Sequence, residues 1–523
     1  MTTLPPASNP RRTLGGNRLL SRQFLFILCL GGGIGTLVAL VLYATKATYV
    51  GILLLGLALV LSTVFAKNYR LYWFAIFLLS LQFTISKNLN DGLAVIDELK
   101  IDYAIWSFTF EITATDLALL VLLAFWANDC LFHGKKMRFP PVTWLAVGYL
   151  GICLLSLVGA ESPYLGFVEL SRQIKFFIVY LYAVNCLDSK SAVRVLAAVA
   201  VIILVTQAGM TVARFETGYM TPLTFGETNQ DLSEIEKYLA VDRSDEGSAI
   251  RAYGTLGSPG ATLHLCLLVI PFALFLSVPN AMFGMRLAFA ALTAFGLLGL
   301  VLTFTRVYFI TAAVQIVLAF LIMIRDRMLR REEVTLIVLL GLAAVAAASP
   351  KLYEQFTVRT DSVSTRFLQY ETATNMILDN PFLGVGLNNM TGQMPKYADV
   401  TYNQYDPDTQ FYLEGTHNMY LSLAADIGVF GTLLFVAFFA RATLLAWRQS
   451  RRSTDPEIRL VASALIVAFC GVAVNGLMDP LQEYQVLSLL WLYAGISLNL
   501  PGMAPGQETS NPRPDQPAFV LIK

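Results

Sequence analysis

The sequence predicts an all-α, polytopic integral membrane protein, and three observations support this. Hydrophobic residues make up 56% of the 523 residues. Charged residues make up 14%, against roughly 25% in soluble proteins. The apolar residues are gathered into long stretches, and mean hydropathy is +0.61. A helix crosses the hydrocarbon core with about 20 mostly apolar residues, and that length criterion picks out about fourteen spans here.

The N-terminal half supplies spans at 24–43, 49–66, 71–86, 114–132, 142–159, 173–187 and 194–212. The C-terminal half supplies 262–279, 286–304, 307–324, 334–348, 418–440, 460–476 and 484–499. The stretches at 71–86, 173–187 and 334–348 are short and suggest tilted or re-entrant segments. Arg11, Arg12, Arg18 and Arg22 precede the first stretch, which is too long for a signal-peptide core of about 7–15 residues, so it reads as a retained span.

Net charge is +1, which gives no bulk attraction to nucleic acid, but the signs are sorted along the chain. Basic residues occupy alternate connections: Lys67 and Arg70; Lys135, Lys136 and Arg138; Lys190 and Arg194; Arg325, Arg327, Arg330 and Arg331; Arg441, Arg448, Arg451 and Arg452. The positive-inside rule puts these connections and both termini in the cytoplasm. The resulting organisation is a basic N-terminus at 1–23, a bundle at 24–212, an outer loop at 213–261, central helices at 262–348, a second outer loop at 349–417, C-terminal helices at 418–499 and a cytoplasmic, disordered tail at 500–523. Both outer loops are mainly acidic, and loops this long are usually functional or disordered. They face a compartment without nucleoside triphosphates, so chemistry there needs a pre-activated substrate.

Few residues stand out as chemically capable. The chain has three histidines, His133, His264 and His417. His417 falls at the outer mouth of a span, where an unprotonated imidazole can accept a proton from a hydroxyl. An interfacial or helix-capping role fits it equally well, with Gly428 and Gly431 as packing glycines behind it. His264, early in a span, reads as a packed helix residue. Arg306 stands between two apolar stretches with almost no loop, and arginine near hydrocarbon marks a functional site by default. Its planar fork suits phosphate oxygens. Arg366 opens an amphipathic helix in the second outer loop, with Ser364 as cap and Phe367, Leu368, Met376 and Ile377 as its apolar side. Gly384 and Gly386 follow in a tight bend, a weak phosphate-binding signal without a flanking strand and helix. Arg251 begins a glycine-rich turn before the span at 262, where backbone amides can meet an anion, although an ordinary re-entry loop explains the turn as well. Asp406 and Asp408 have a metal-binding spacing that a Pro-Asp turn explains better. No metal and no cofactor is expected.

At His417 these residues acquire a pattern. His417-Asn418, nine residues, then Gly428, Gly431 and Thr432 resemble the signature of the O-antigen ligase and polymerase family. Thr305-Arg306 resembles its Ser/Thr-Arg segment. Arg366 with Asn380-Pro381-Phe382-Leu383-Gly384-Val385-Gly386 resembles its arginine helix and following turn. The resemblance covers about 286–440 and does not separate polymerases from ligases. It implies a fold of the glycosyltransferase C class, a periplasmic site at the bacterial inner membrane and an undecaprenyl-diphosphate-linked oligosaccharide as donor. The acceptor would be a growing glycan or lipid A-core, with a flippase and a chain-length regulator as candidate partners. His417 would be the general base, and Arg306 and Arg366 would hold the diphosphate. Arg251, Asn418, Gly384 and Gly386 would contact substrate, and transfer would be inverting and metal-independent.

Two other readings compete. A lipid-glycan transporter would need a polar path and charges within the spans, which read as nearly charge-free, and paired repeats, which are not evident. A non-catalytic partner of an envelope-polysaccharide complex would tolerate loss of His417. The topology is tested by reporter fusions: Gly247 and Ala398 should read periplasmic, Arg330 and Ser450 cytoplasmic. A cytoplasmic reading at Ala398 overturns both the map and the site.

Overall fold

The computed structural model describes residues 61–89, 109–217, 252–276, 283–303, 305–329, 332–333, 361–398 and 416–503. The basic N-terminus, the first span and residues 49–60 of the second, the span at 334–348, Arg251, Asp406, Asp408 and the tail beyond 503 lie outside the described residues. So does the side chain of Arg306.

Thirteen helices and two strands carry the argument. They are α1 (Tyr69–Ser80), β1 (Ser86–Asn88), β2 (Glu111–Thr113), α2 (Ala114–Phe132), α3 (Thr143–Ser156), α4 (Pro163–Cys186) and α5 (Lys190–Thr217), followed by α6 (Pro259–Leu276), α7 (Phe283–Val301), α8 (Arg306–Arg325), α9 (Asp361–Asp379), α10 (Met390–Tyr397) and α11 (Met419–Arg452), then α12 (Pro456–Asn475) and α13 (Tyr484–Met503). The two strands form one short antiparallel ladder with Lys87 opposite Ile112, and every other element is helical. Among the described residues seven helices, α2, α5, α6, α8, α11, α12 and α13, are long and apolar enough to cross a membrane. The chain is therefore an all-α polytopic membrane protein.

The helix starts follow ordinary capping chemistry. Thr113 and Asp116 form a reciprocal capping box on α2. Asp455 caps α12, with Pro456 at its first position. Helix α4 starts at Pro163, ten residues before the apolar stretch at 173–187, so that stretch is the inner part of a 24-residue helix. The expectation of charge-poor spans fails here: Glu169, Arg172 and Lys175 all lie on α4. They are accommodated because each is paired inside the bundle. Arg172 donates to Glu169 at 2.8 Å, and Lys175 to Asp116 at 2.8 Å. Helix α5 also runs on to Thr217, past the expected start of the outer loop at 213.

Helix α13 lies along α4, α11 lies between α3 and α12, and α6 packs on α5 and α12. Trp491 sits at the centre, fully buried among Tyr149, Phe177, Tyr180, Phe438 and Phe439.

The bundle has two chemically distinct ends. At one, Arg194 pairs with Glu457 at 2.6 Å, Lys190 pairs with Asp455, and Arg138 reaches Asn499 at 3.0 Å. At about 1.5 Å per residue, the 20 residues of α12 lead about 30 Å away to the other end. There α8, α11 and α13 begin and α12 ends.

Helix α11 is broken at Gly428, whose backbone lies at φ 75°, ψ 170°. That region belongs essentially to glycine. Gly428 and Gly431 both pack as expected, Gly431 against Ile152 of α3 and Gly428 against the Phe382 backbone, and Gly428 is in addition a backbone break. The break frees carbonyls that would otherwise bond along the helix, and the turn after α9 takes them up. Val385 N donates to Ala425 O at 2.8 Å, and Gly386 N to Asp426 O at 2.9 Å. Val429 N donates back to Pro381 O at 2.9 Å. The Asp426 carboxylate accepts from Asn389 N and Met390 N at 3.1 and 2.8 Å. Ala373, Met376, Val385, Met390, Met394 and Ala425 form a small second core under this turn. Helix α9 thus rests on α11 through Ala373 and Met376. Of the expected apolar side, Met376 is buried but Phe367 is exposed, and the helix begins at Asp361, ahead of the expected Ser364 cap.

A methyl group at Gly428 would meet Phe382 O at 2.2 Å. Gly428→Ala should therefore destabilise the protein by at least about 1–3 kcal/mol. Gly151→Ala, on α3 with open space around it, should be neutral. Thermal unfolding in detergent checks both.

Candidate functional site

The site lies at the end of the bundle where α11 begins. Asn418 is the N-cap of α11. Its Oδ1 accepts from Tyr420 N and Leu421 N at 3.0 Å each, and its Nδ2 donates to Leu477 O at 3.1 Å. Asn418, rather than His417, therefore does the capping, and His417 is left as the residue before the cap with its ring partly exposed. Met419 N donates to Gly476 O at 2.8 Å, which ties the start of α11 to the end of α12.

This tie sets the α12–α13 connection beside the imidazole. His417 Nδ1 lies 3.4 Å from Asp479 Oδ1, a long hydrogen bond of the kind that tightens when substrate arrives. The other oxygen, Asp479 Oδ2, accepts from Tyr308 OH at 2.5 Å. Tyr308 OH is also 3.0 Å from His264 Nε2, and His264 Nδ1 is 2.9 Å from Glu483 Oε2. Burial alone would raise the Asp479 carboxyl. Hydrogen bonds from His264, His417 and Tyr308 outweigh it and hold the group well below the usual carboxylate range. Asp479 is therefore an anion wherever the protein is folded near neutrality.

Arg366 reaches the same place from α9. Tyr370, one turn further along, donates its hydroxyl to His417 O at 3.1 Å. The Arg366 charge acts on both Tyr308 and Tyr370. Burial pushes the Tyr370 phenol up; Arg366 opposes that and Asp479 adds to it. Three helices and one connection thus converge on His417: α8 with Tyr308, α9 with Arg366 and Tyr370, α11 itself, and the segment holding Asp479.

Residues 289–436 match the family model described as O-antigen ligase. The match begins in α7, takes in Arg306, Arg366 and His417, and ends in α11 beyond Gly428. It supports the O-antigen ligase and polymerase family for this chain, and with it glycan transfer of that general type. No curated protein matches the chain. His264, Asp479 and Glu483 lie outside the segment that matches the O-antigen ligase family.

The other expected site residues are placed as follows. The backbone of Arg306 opens α8, two residues before Tyr308. Arg251 precedes a turn whose amides are engaged: Gly254 N donates to Thr262 Oγ1 at 2.8 Å and Thr255 N to Gln207 Oε1 at 3.0 Å. The structure gives the amides of Gly384 and Gly386 to Asn380 O and Asp426 O. A Cβ on Gly384 would meet Ala425 O at 2.4 Å. These glycines seat the turn on the break in α11, and Asn418 has both ends of its amide occupied. All three shape the local backbone of the site.

Asp479 and Glu483 escaped the sequence reading, and His264 was read as packing. The available signal was two carboxylates in a seven-residue connection without a basic residue, facing a histidine early in another span.

A cavity of about 90 Å³ adjoins the start of α11, lined among others by Tyr149, Glu169, Arg172, Ser422 and Gln482. It mixes hydrogen-bond donors and acceptors beside an aromatic ring. Among the described residues no cluster of His, Cys, Asp or Glu has metal-binding geometry.

Asn418→Ala should cost about 0.5–2 kcal/mol through loss of the cap. Asn418→Asp keeps the cap but loses the bond to Leu477 O, so it should fall between wild type and alanine in thermal unfolding.

Proposed function

We propose that the chain transfers an undecaprenyl-diphosphate-linked glycan to an acceptor sugar hydroxyl at the periplasmic face of the inner membrane, as an O-antigen or exopolysaccharide polymerase or an O-antigen ligase. One observation carries the reading. Within the segment that matches the O-antigen ligase family, His417 stands against a carboxylate at Nδ1 while Arg366 is held one helical turn from the tyrosine bonded to the His417 backbone. The periplasmic assignment is supported by the basic connections gathering at the opposite end of the bundle.

The chemistry follows from those groups. Asp479 accepts the Nδ1 proton of His417 and so fixes the tautomer that leaves Nε2 as an acceptor. Nε2 takes the proton from the acceptor hydroxyl as that oxygen attacks the anomeric carbon. The bond from the anomeric carbon to the diphosphate oxygen breaks, and the lipid diphosphate departs with the electron pair. Arg366, and Arg306 at the start of α8, offset the charge that develops on it. Attack opposite the leaving group inverts the anomeric centre. Because two guanidiniums take the part a divalent ion plays elsewhere, transfer should be metal-independent. The cavity beside the start of α11 suits one edge of the acceptor sugar.

The test is transfer from a purified undecaprenyl-diphosphate glycan, with expression measured separately. His417→Ala should lose about 10²–10⁴-fold in turnover, the usual contribution of a general base. Arg366→Lys should also fail, because lysine keeps the charge but loses the bidentate fork. Arg306→Ala should weaken donor binding as well as turnover. Full activity in His417→Ala overturns the base assignment.

A further inference from the structure

His264 is 2% exposed, lies on α6 and has its two ring nitrogens against different partners. Counting protons fixes its state. Tyr308 has one hydroxyl proton, and it is donated to Asp479 Oδ2 at 2.5 Å. At the 3.0 Å contact with His264 Nε2, the tyrosine oxygen must therefore accept, and Nε2 must carry a hydrogen. At the 2.9 Å contact between Nδ1 and Glu483 Oε2 one proton is required as well. Of those two groups the carboxylic acid is the stronger, by about two pKa units in the reference state, so the proton sits on the imidazole. Asp479 Oδ2, 3.5 Å from Nε2, places a second anion on the ring.

We infer that His264 is a permanent buried imidazolium, a positioning residue that bridges Asp479 and Glu483 and holds Asp479 as the oriented anion that sets the tautomer of His417. The inference rests on His417 being the base, and it concerns what makes that base work. Without the cation, no charge among the described residues lies between Asp479 and Glu483, and proton uptake by one of the two carboxylates is favoured. A protonated Asp479 can donate to His417 Nδ1. The ring then carries its hydrogen on Nε2, where the acceptor hydroxyl arrives, and general-base catalysis stops with every atom still in place.

Among the described residues, the charged and titratable groups facing this bridge are as follows. Glu483 and Asp479 come from the α12–α13 connection, Tyr308 from α8 and His417 from the start of α11. Arg366 of α9 acts on Tyr308 from the outer side. Arg172 of α4 donates to Gln482 O at 2.6 Å and fixes the backbone next to Glu483, while its own charge is matched by Glu169. None of these is a second cation placed between the two carboxylates.

The experiment has two arms on the full-length protein in lipid nanodiscs. In the first, nitrogen NMR of ¹⁵N-histidine-labelled protein reads protonation directly. With only three histidines, His133→Gln and His417→Ala assign the His264 signals by elimination. His264 should be an imidazolium from pH 6 to about pH 8, above the pKa of about 6.5 of a free histidine. A neutral ring at pH 7 overturns the inference, and this arm needs neither activity nor a His264 variant. In the second arm, transfer is measured for His264→Gln, Glu483→Gln and the double variant. His264→Gln should lose about a hundredfold or more, on the scale of losing the base itself. Adding Glu483→Gln removes the excess negative charge and should restore at least about tenfold of that loss, as expected for residues that act as one unit. A double variant no more active than His264→Gln reduces His264 to a packing residue and sinks the inference. If wild type itself shows no transfer, the functional proposal fails, while the NMR arm still decides the charge state.

Discussion

The break in α11 at Gly428 is the constraint on which the site depends. A continuous α-helix hides its carbonyls in its own ladder and offers a neighbour only side chains. At Gly428 the ladder opens inside the packed protein, where an unsatisfied carbonyl costs several kcal/mol. The turn after α9 fills the opening with the amides of Val385 and Gly386, and Val429 returns a bond to Pro381. This backbone-to-backbone clasp is short and directional, and it fixes α9 relative to the first two turns of α11. Arg366 and Tyr370 on α9 and His417 before α11 therefore form one rigid group, although they lie far apart in sequence.

The clasp would be of little use if the other half of the site could drift. The α12–α13 connection is held separately, by Met419 N on Gly476 O and by Asn418 on Leu477 O. These bonds place Asp479 by covalent proximity, two residues beyond Leu477. Two independent ties thus meet at His417: one brings the cation from α9, the other brings the anion. Any reaction that moves negative charge from a nucleophile to a leaving group needs opposite charges on opposite sides of the reacting centre, and the fold separates them by delivering them on different elements.

Much of this was legible in the sequence, for physical reasons that also explain what was not. Hydropathy gave the helices, because lipid imposes a length and a composition on every span. It misplaced the start of α4, because Glu169, Arg172 and Lys175 are paired within the bundle and a hydropathy window sees only their charge. His417 could be found because it sits alone at the mouth of a span. Gly428 was only half legible: a glycine behind a site can permit close packing, a backbone reversal or, as here, both, and only the dihedral angles reveal the second. Asp479 left no local trace. Its meaning comes entirely from His417, 62 residues earlier, and from Tyr308 on a third helix.

Two carboxylates near the site show how differently the fold treats the same chemical group. Asp426 is met by the amides of Asn389 and Met390, donors that cannot give up their protons. Its position is fixed by these backbone bonds, and it serves as a clasp. Asp479 is met by His264, His417 and Tyr308, side chains whose protons can move. A carboxylate held this way is sensitive to every charge around it, which is a liability in a scaffold and an asset beside the base proposed at His417. The backbone partners at Asp426 and the ionisable partners at Asp479 therefore separate structure from chemistry within one small region, and they explain why the ionisable groups gather on the side that faces His417.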